Sequence, residues 1–185
     1  MGVNKMSIYA IEGRSFRFLK IISHNFWVMG ELNGKIIAEL HGLAVDKTGQ
    51  IKAIGNSADL LKVLHYVHDS GYASGFGAKA SYSSLVLAGQ RREVVFRGSY
   101  NEVVERWKAA VKAMDYLNCL KLTYPGIHQQ FFPGVINSNS IYTTLGYIMN
   151  VHVARFPWCW QPGCGNVALS EEEIQKRQYR PLFPI

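Results

Sequence analysis

Charge is scarce in this chain. Asp, Glu, Lys and Arg make up 18% of its 185 residues against 48% hydrophobic residues, which excludes a self-repelling disordered polymer and leaves enough apolar material for one good core. No apolar run is long enough to cross a bilayer and no basic-then-apolar leader opens the chain. The expectation is synthesis in the cytoplasm, without a signal peptide and without a transmembrane segment. Long basic tracts are missing as well. Twenty Lys plus Arg against 13 Asp plus Glu leave a net charge of +7, but the cations are scattered. That speaks against specific nucleic-acid binding and for an anionic polymer or an acidic protein as partner. Cysteine is limited to Cys119, Cys159 and Cys164, an odd count without the paired doublets of a zinc site, so no metal and no cofactor is expected. Cys159 and Cys164 share the loop "FPWCWQPGCGN", which leaves two readings open: a short disulfide in an oxidising compartment, or two free thiols.

The chain also contains clear elements. "MSIYAIEGRSFRFLKII" predicts a leading strand or two, and "DKTGQIKAIGN" a turn-rich connection. Over 57–71, Leu60, Leu61, Leu64 and Val67 fit a helical period that stops at Gly71 and carries His65 and His68, a pair with too few companions to hold a metal. A Gly/Ser-rich loop over 72–84 follows, then strands "LVLAG" and "REVVFRGS". Ser99 and Glu102 form a capping box opening a helix over 100–118, with Val103, Val104, Trp107, Val111 and Met114 along one side. An aromatic Pro/Gly loop leads to a helix that starts in "NSNS" and carries Ile141, Leu145, Ile148 and Met149 on one face. A last capping signal, Ser170 and Glu173, opens a short charged helix before the extended "YRPLFPI". Without internal repeats, these elements predict one α+β domain, an antiparallel sheet packed against helices, with a core over about 7–150 and a C-terminal extension over 151–185.

Two histidines flank an Asn-Gly pair in "SHNFWVMGELNGKIIAELHGLAV". Asn33-Gly34 between apolar runs signals a hairpin with a two-residue type I′ loop. Leu32 then opposes Lys35, Phe26 opposes His41 and His24 opposes Leu43. His24, Phe26, Glu39, His41 and Leu43 share one face, and Trp27, Met29, Ile36 and Leu40 the other. His24 and His41 sit diagonally, with backbones roughly 7–8 Å apart, close enough for their rings to meet.

A nucleophile is favoured where a helix begins, because unpaired N–H groups and the dipole stabilise an alkoxide or oxyanion. The residues of "NSNS" also include the preferred helix caps, so capping and catalysis fall on different members of the four. A serine needs a base, and His24, oriented by His41 or Glu39, is the candidate.

"HNFW" at the start of a strand, "ELHG" on the next and "NSNSIYTTL" opening a later helix together resemble the circularly permuted papain fold, over residues 23–149. That group includes permuted NlpC-like peptidases and lecithin:retinol acyltransferase-like enzymes. The resemblance implies a papain-like domain with Ser138 as nucleophile, His24 as base and His41 as third member, supported by Asn137, Glu39 and Trp27. It implies a hydrolase that cuts an amide bond in cell-wall peptidoglycan, with lipid acyl hydrolysis or transfer on the same fold as the alternative. The pattern is also similar to hydrolase effectors of bacterial type VI secretion. By that likeness the protein is an antibacterial toxin active in a rival's periplasm, with peptidoglycan or another anionic envelope polymer, a cognate immunity protein and a secretion-machine carrier as partners. The family's nucleophile is cysteine, whereas this chain has Ser138 there and its cysteines elsewhere. A working serine, an inactive relative that only binds, and a replaced cysteine all fit the sequence.

Overall fold

The computed structural model describes residues 7–18, 21–75, 80–157 and 159–181. Six strands form one antiparallel sheet: β1 (Tyr9–Phe18), β2 (Ile22–Glu31), β3 (Ile36–Val45), β4 (Ile51–Lys52), β5 (Leu60–Val67) and β6 (Arg91–Gly98). Their order is β4-β3-β2-β1-β6, with β5 also paired to β3. Four α-helices complete the α+β fold: α1 (Ser70–Ser74), α2 (Tyr100–Cys119), α3 (Ser138–Ile148) and α4 (Glu171–Arg177). Among the described residues no helix is long and apolar enough to cross a membrane.

The helices take one face of the sheet. Trp27, Met29, Ala38 and Leu40 meet Val103, Trp107 and Leu117 of α2 and Ile141, Leu145 and Ile148 of α3 in a continuous buried core. Burial of these side chains, at about 25 cal/mol per Å² of apolar surface, is what fixes α3 against β2 and β3. Trp27 does more than fill space: its indole N–H donates to the Tyr142 carbonyl at 2.8 Å, and the two rings stack with centroids 4.2 Å apart. Gly42 and Gly146 let the layers close, since a Cβ at Gly42 would lie 2.6 Å from that of Ile141 and one at Gly146 2.7 Å from the Trp27 ring.

The hairpin reaches the expected register by an unexpected route. The loop holds three residues rather than two, because Glu31 N–H donates to the Lys35 carbonyl and only Asn33, at φ 60°, takes a left-handed conformation. That loop alone would slip the strands by one residue. A bulge on β3 at Ile37 slips them back: Gly30 pairs with Ile36, but Met29 pairs with Ala38 and Trp27 with Leu40. The bulge also exchanges Ile37 for Ile36 in the core.

Residues 57–71 form no helix. They are β5, pairing with β3 from Ala38↔Val67 to Val45↔Leu60. Leu61, Val63 and Val67 turn into the core; Leu61 and Val67 belong to both the helical and the alternating pattern, while Val63 fits only the alternating one and Leu60 and Leu64 only the helical one. The open edge of β3 and two β-branched valines settle the competition. "LVLAG" forms no strand either. β5 and β6 lie on opposite sides of the sheet, so the chain between them must cross it. Residues 80–90 are spent on that crossing, with Leu85 buried and Ser83 bonded to Glu39. Residues 76–79 of the Gly/Ser-rich loop and 182–185 of the extended tail lie outside the described residues. All three cysteines are free thiols.

Candidate active site

The site lies where two strands part. Pairing of β2 with β3 ends at Trp27↔Leu40, and further along β3 its partners are β4, at Ala44 and Val45, and β5. The exposed edge of β2 cannot remain unpaired in the interior. Two substitutes satisfy it. The Asn139 side chain accepts from Asn25 N–H at 2.9 Å and donates to the Ser23 carbonyl at 3.0 Å. Beside it Trp160 accepts from Ser23 N–H and donates to the Ile21 carbonyl. The first turn of α3 is thereby sewn to β2 next to His24.

On the sheet face away from the main core, three polar side chains form a line. His24 Nε2 lies 3.2 Å from His41 Nδ1, and His41 Nε2 lies 2.7 Å from Glu39 Oε2. Glu39 also accepts from His68 and from the Ser83 hydroxyl. His24, His41 and Glu39 are almost fully buried, and Phe26 stacks on His41 at 4.3 Å between centroids.

The charge states follow from these surroundings. Burial alone would raise the Glu39 carboxyl, but hydrogen bonds from His41, Ser83 and His68 outweigh it and hold the group below the ordinary carboxylate range. Burial, and then His41, push His24 well below the usual imidazole range. Burial lowers His41 too, against the pull of Glu39. At neutral pH an ionised Glu39 therefore faces two neutral rings.

The tautomers are then determined. An ionised carboxylate only accepts, so His41 carries its proton on Nε2 and offers Nδ1 as an acceptor. His24 must fill that acceptor with Nε2–H. What remains is His24 Nδ1, a bare lone pair that is buried without a hydrogen-bond partner among the described residues. Two buried neighbours, His41 and Glu39, thus set the tautomer that leaves this nitrogen an acceptor without a partner among the described residues.

Each member of "NSNS" has its own task. Asn137 is the N-cap of α3, accepting from Asn139 N–H at 2.9 Å and Ser140 N–H at 3.3 Å. Ser140 returns the contact, its Oγ accepting from Asn137 N–H at 3.2 Å. Asn139 closes the edge of β2. Ser138, at the first helical position, has neither its hydroxyl nor its backbone N–H engaged among the described residues, and it lines the same cavity as His24.

That cavity is walled by Ile22, Ile54, Ile127, Phe131 and Trp160, and by Tyr124 and Gln130 of the aromatic loop. No Asp, Glu, Lys or Arg lines it among the described residues. Ser138, His24, His41, Glu39 and Asn137 are thus gathered at one place. Trp27 is on the opposite face from His24 and His41, where it anchors α3.

Sequence reasoning did not find several contributors. His68, one residue past the end of β5, and Ser83 of the crossing loop reach Glu39. Pro162 accepts from both Asn137 and Asn139, and Gly163 accepts from the Ser140 hydroxyl at 3.1 Å. His65 stays outside the cluster and accepts from the Trp107 indole N–H at 3.2 Å. Comparison with protein-family models, with curated proteins and with solved structures finds no match to this chain.

Two expected results follow from this architecture. Gly163 has φ 74°, and a Cβ there would lie 2.4 Å from Asn137 Oδ1. Gly163→Ala should therefore destabilise the fold by roughly 1–3 kcal/mol, read as a lowered urea midpoint, and loosen the α3 cap. The second concerns pH. In the unfolded chain imidazoles bind protons near pH 6.5, whereas burial keeps His24 and His41 neutral below that and lowers His65 to about 4. Their stabilisation is complete above the unfolded value and is lost on acidification, by up to about 1.4 kcal/mol per histidine per pH unit. The urea midpoint should fall steadily from about pH 7 to about pH 5, and a flat midpoint would contradict neutral buried rings.

Proposed function

We propose that this protein is a serine acyl hydrolase with Ser138 as nucleophile and His24 as base. The observation that carries the reading is the line Glu39, His41, His24, whose last member has a buried, unpartnered Nδ1 and lines the same cavity as Ser138, with its unengaged hydroxyl. In the first step Ser138 Oγ attacks the substrate carbonyl carbon as its proton moves to His24 Nδ1. The carbonyl electron pair shifts to oxygen, where the unengaged Ser138 N–H and the positive end of α3 stabilise it. Collapse of that intermediate breaks the bond to the leaving group, which takes the proton from His24 Nδ1. Water repeats the sequence on the acyl-serine and releases the acid. The imidazolium formed in between is stabilised through His41 by the Glu39 charge.

The lining bears on the substrate. Peptide stems of a cell wall carry carboxylates and amines, and a site that selects them benefits from opposite charge. An uncharged cavity walled by Ile, Phe and Trp suits an apolar acyl group better. The permuted papain resemblance allows both, and the lining favours the acyl lipid over the peptidoglycan amide. Purified protein should be incubated with phospholipid vesicles, with a series of aryl esters of increasing acyl length, and with peptidoglycan, and the products identified by mass spectrometry. Free fatty acid, with turnover rising with acyl length, is the expected result. Muropeptide fragments alone would return the reading to the amidase, and no product from any substrate would overturn the hydrolase.

A further inference from the structure

We propose that the rim of this cavity is a docking face for an anionic lipid surface. The proposal rests on the acyl-lipid reading for its purpose and on separate residues for its existence. Large apolar side chains that a fold leaves in water are normally scattered. Here several collect around one opening. Ile21 is 64% exposed, Ile127 46%, Phe131 52% and Trp160 42%. They belong together: Trp160 is bonded to Ile21 through backbone, Phe131 stacks on Trp160 with centroids 4.3 Å apart, and Ile127, Phe131 and Trp160 also line the cavity. A membrane-bound lipid must leave its bilayer acyl chain first, and an apolar rim continuous with an apolar cavity gives that chain a water-free route to Ser138.

Charge selects the occupant. The loop that carries Trp160 is held by two exposed cations: Arg17 donates to Cys159 Sγ at 3.0 Å and Arg91 to the Pro157 carbonyl at 2.6 Å. Neither has a carboxylate partner among the described residues, and the whole chain carries +7. The nearby carboxylates of Asp46 and Asp59 are already bonded to Lys52. An apolar, aromatic face flanked by unpaired arginines complements an anionic bilayer, where aromatic rings settle at the headgroup level and cations meet phosphate.

The test uses the Ser138→Ala chain, so that vesicles stay intact. It should sediment with vesicles of mixed phosphatidylglycerol and phosphatidylcholine, and about tenfold or more less well with phosphatidylcholine alone. Raised salt should weaken the binding. Phe131→Ser with Trp160→Ser should abolish it, and Arg17→Gln with Arg91→Gln, which leaves the apolar rim untouched, should reduce the preference for the anionic vesicles. Equal binding to both vesicle types, binding unaffected by these substitutions, or no binding at all would overturn the proposal. So would a dimer of the parent chain that the two serine substitutions dissociate, since the face would then belong to a second copy. Parent protein that binds anionic vesicles and releases no fatty acid would uphold the docking face while removing the hydrolase, so the two failures are distinct.

Discussion

Ser138→Ala should reduce acyl hydrolysis by at least about a thousandfold while leaving the fold intact. The hydroxyl makes no hydrogen bond among the described residues and the cap of α3 is supplied by Asn137, so its removal deprives the structure of nothing except the proposed attacking atom. Thermal midpoint and circular dichroism should match the parent chain. His24→Ala should lose about as much activity, and the double variant little more, because nucleophile and base act as a unit. A Ser138→Ala protein with undiminished activity would place the chemistry elsewhere.

Glu39→Ala should be costly in two currencies that separate cleanly. Three donors, His41, His68 and Ser83, converge on this one buried carboxylate. Each donor left without an acceptor costs about 1–3 kcal/mol, so a loss of several kcal/mol in unfolding free energy is expected, read from urea titration. In the protein that still folds, activity should fall by roughly two to four orders of magnitude. The physical cause is proton placement. Without a carboxylate, nothing holds the proton of His41 on Nε2. Once it occupies Nδ1, that atom donates to His24 Nε2 and drives the proton of His24 onto the Nδ1 that must accept. The nitrogen-15 shifts of the His24 ring should report that exchange of tautomers independently of turnover. A Glu39→Ala protein with unchanged His24 tautomer and full activity would contradict the relay.

Much of this arrangement was legible in residues 23–45 alone. Strand alternation puts His24 and His41 on one face whenever the register is right, and the Asn-Gly signal supplied the right register even though the real loop is one residue longer. The bulge at Ile37 cancels the difference, and nothing in the local residue pattern distinguishes the two routes. The helix at Ser138 was legible because "NSNS" is a strong start signal followed by an apolar stripe. The division of labour inside it was not, since only the third dimension shows that Asn139 faces the vacated edge of β2. His68 escaped notice for a related reason. Read as helical, residues 57–71 send it to a surface; just past the end of a strand beside β3, it reaches Glu39. The choice between those conformations lay in the open edge of β3, a property of the sheet and of no local window. Gly163 and Pro162 contact α3 from more than twenty residues away, a distance at which sequence pattern carries no register.

The central claim is that His24 Nδ1 is an unprotonated base within reach of Ser138, and covalent capture tests it most directly. A fluorophosphonate probe reacts with serine only where a base takes up the hydroxyl proton. The folded protein near neutral pH should acquire one adduct, located by mass spectrometry on the peptide containing Ser138. The adduct should disappear in His24→Ala and fade as pH drops below the usual imidazole range, because burial holds His24 neutral to lower pH than a free ring. An unlabelled Ser138, or a label that persists without His24, would contradict the account.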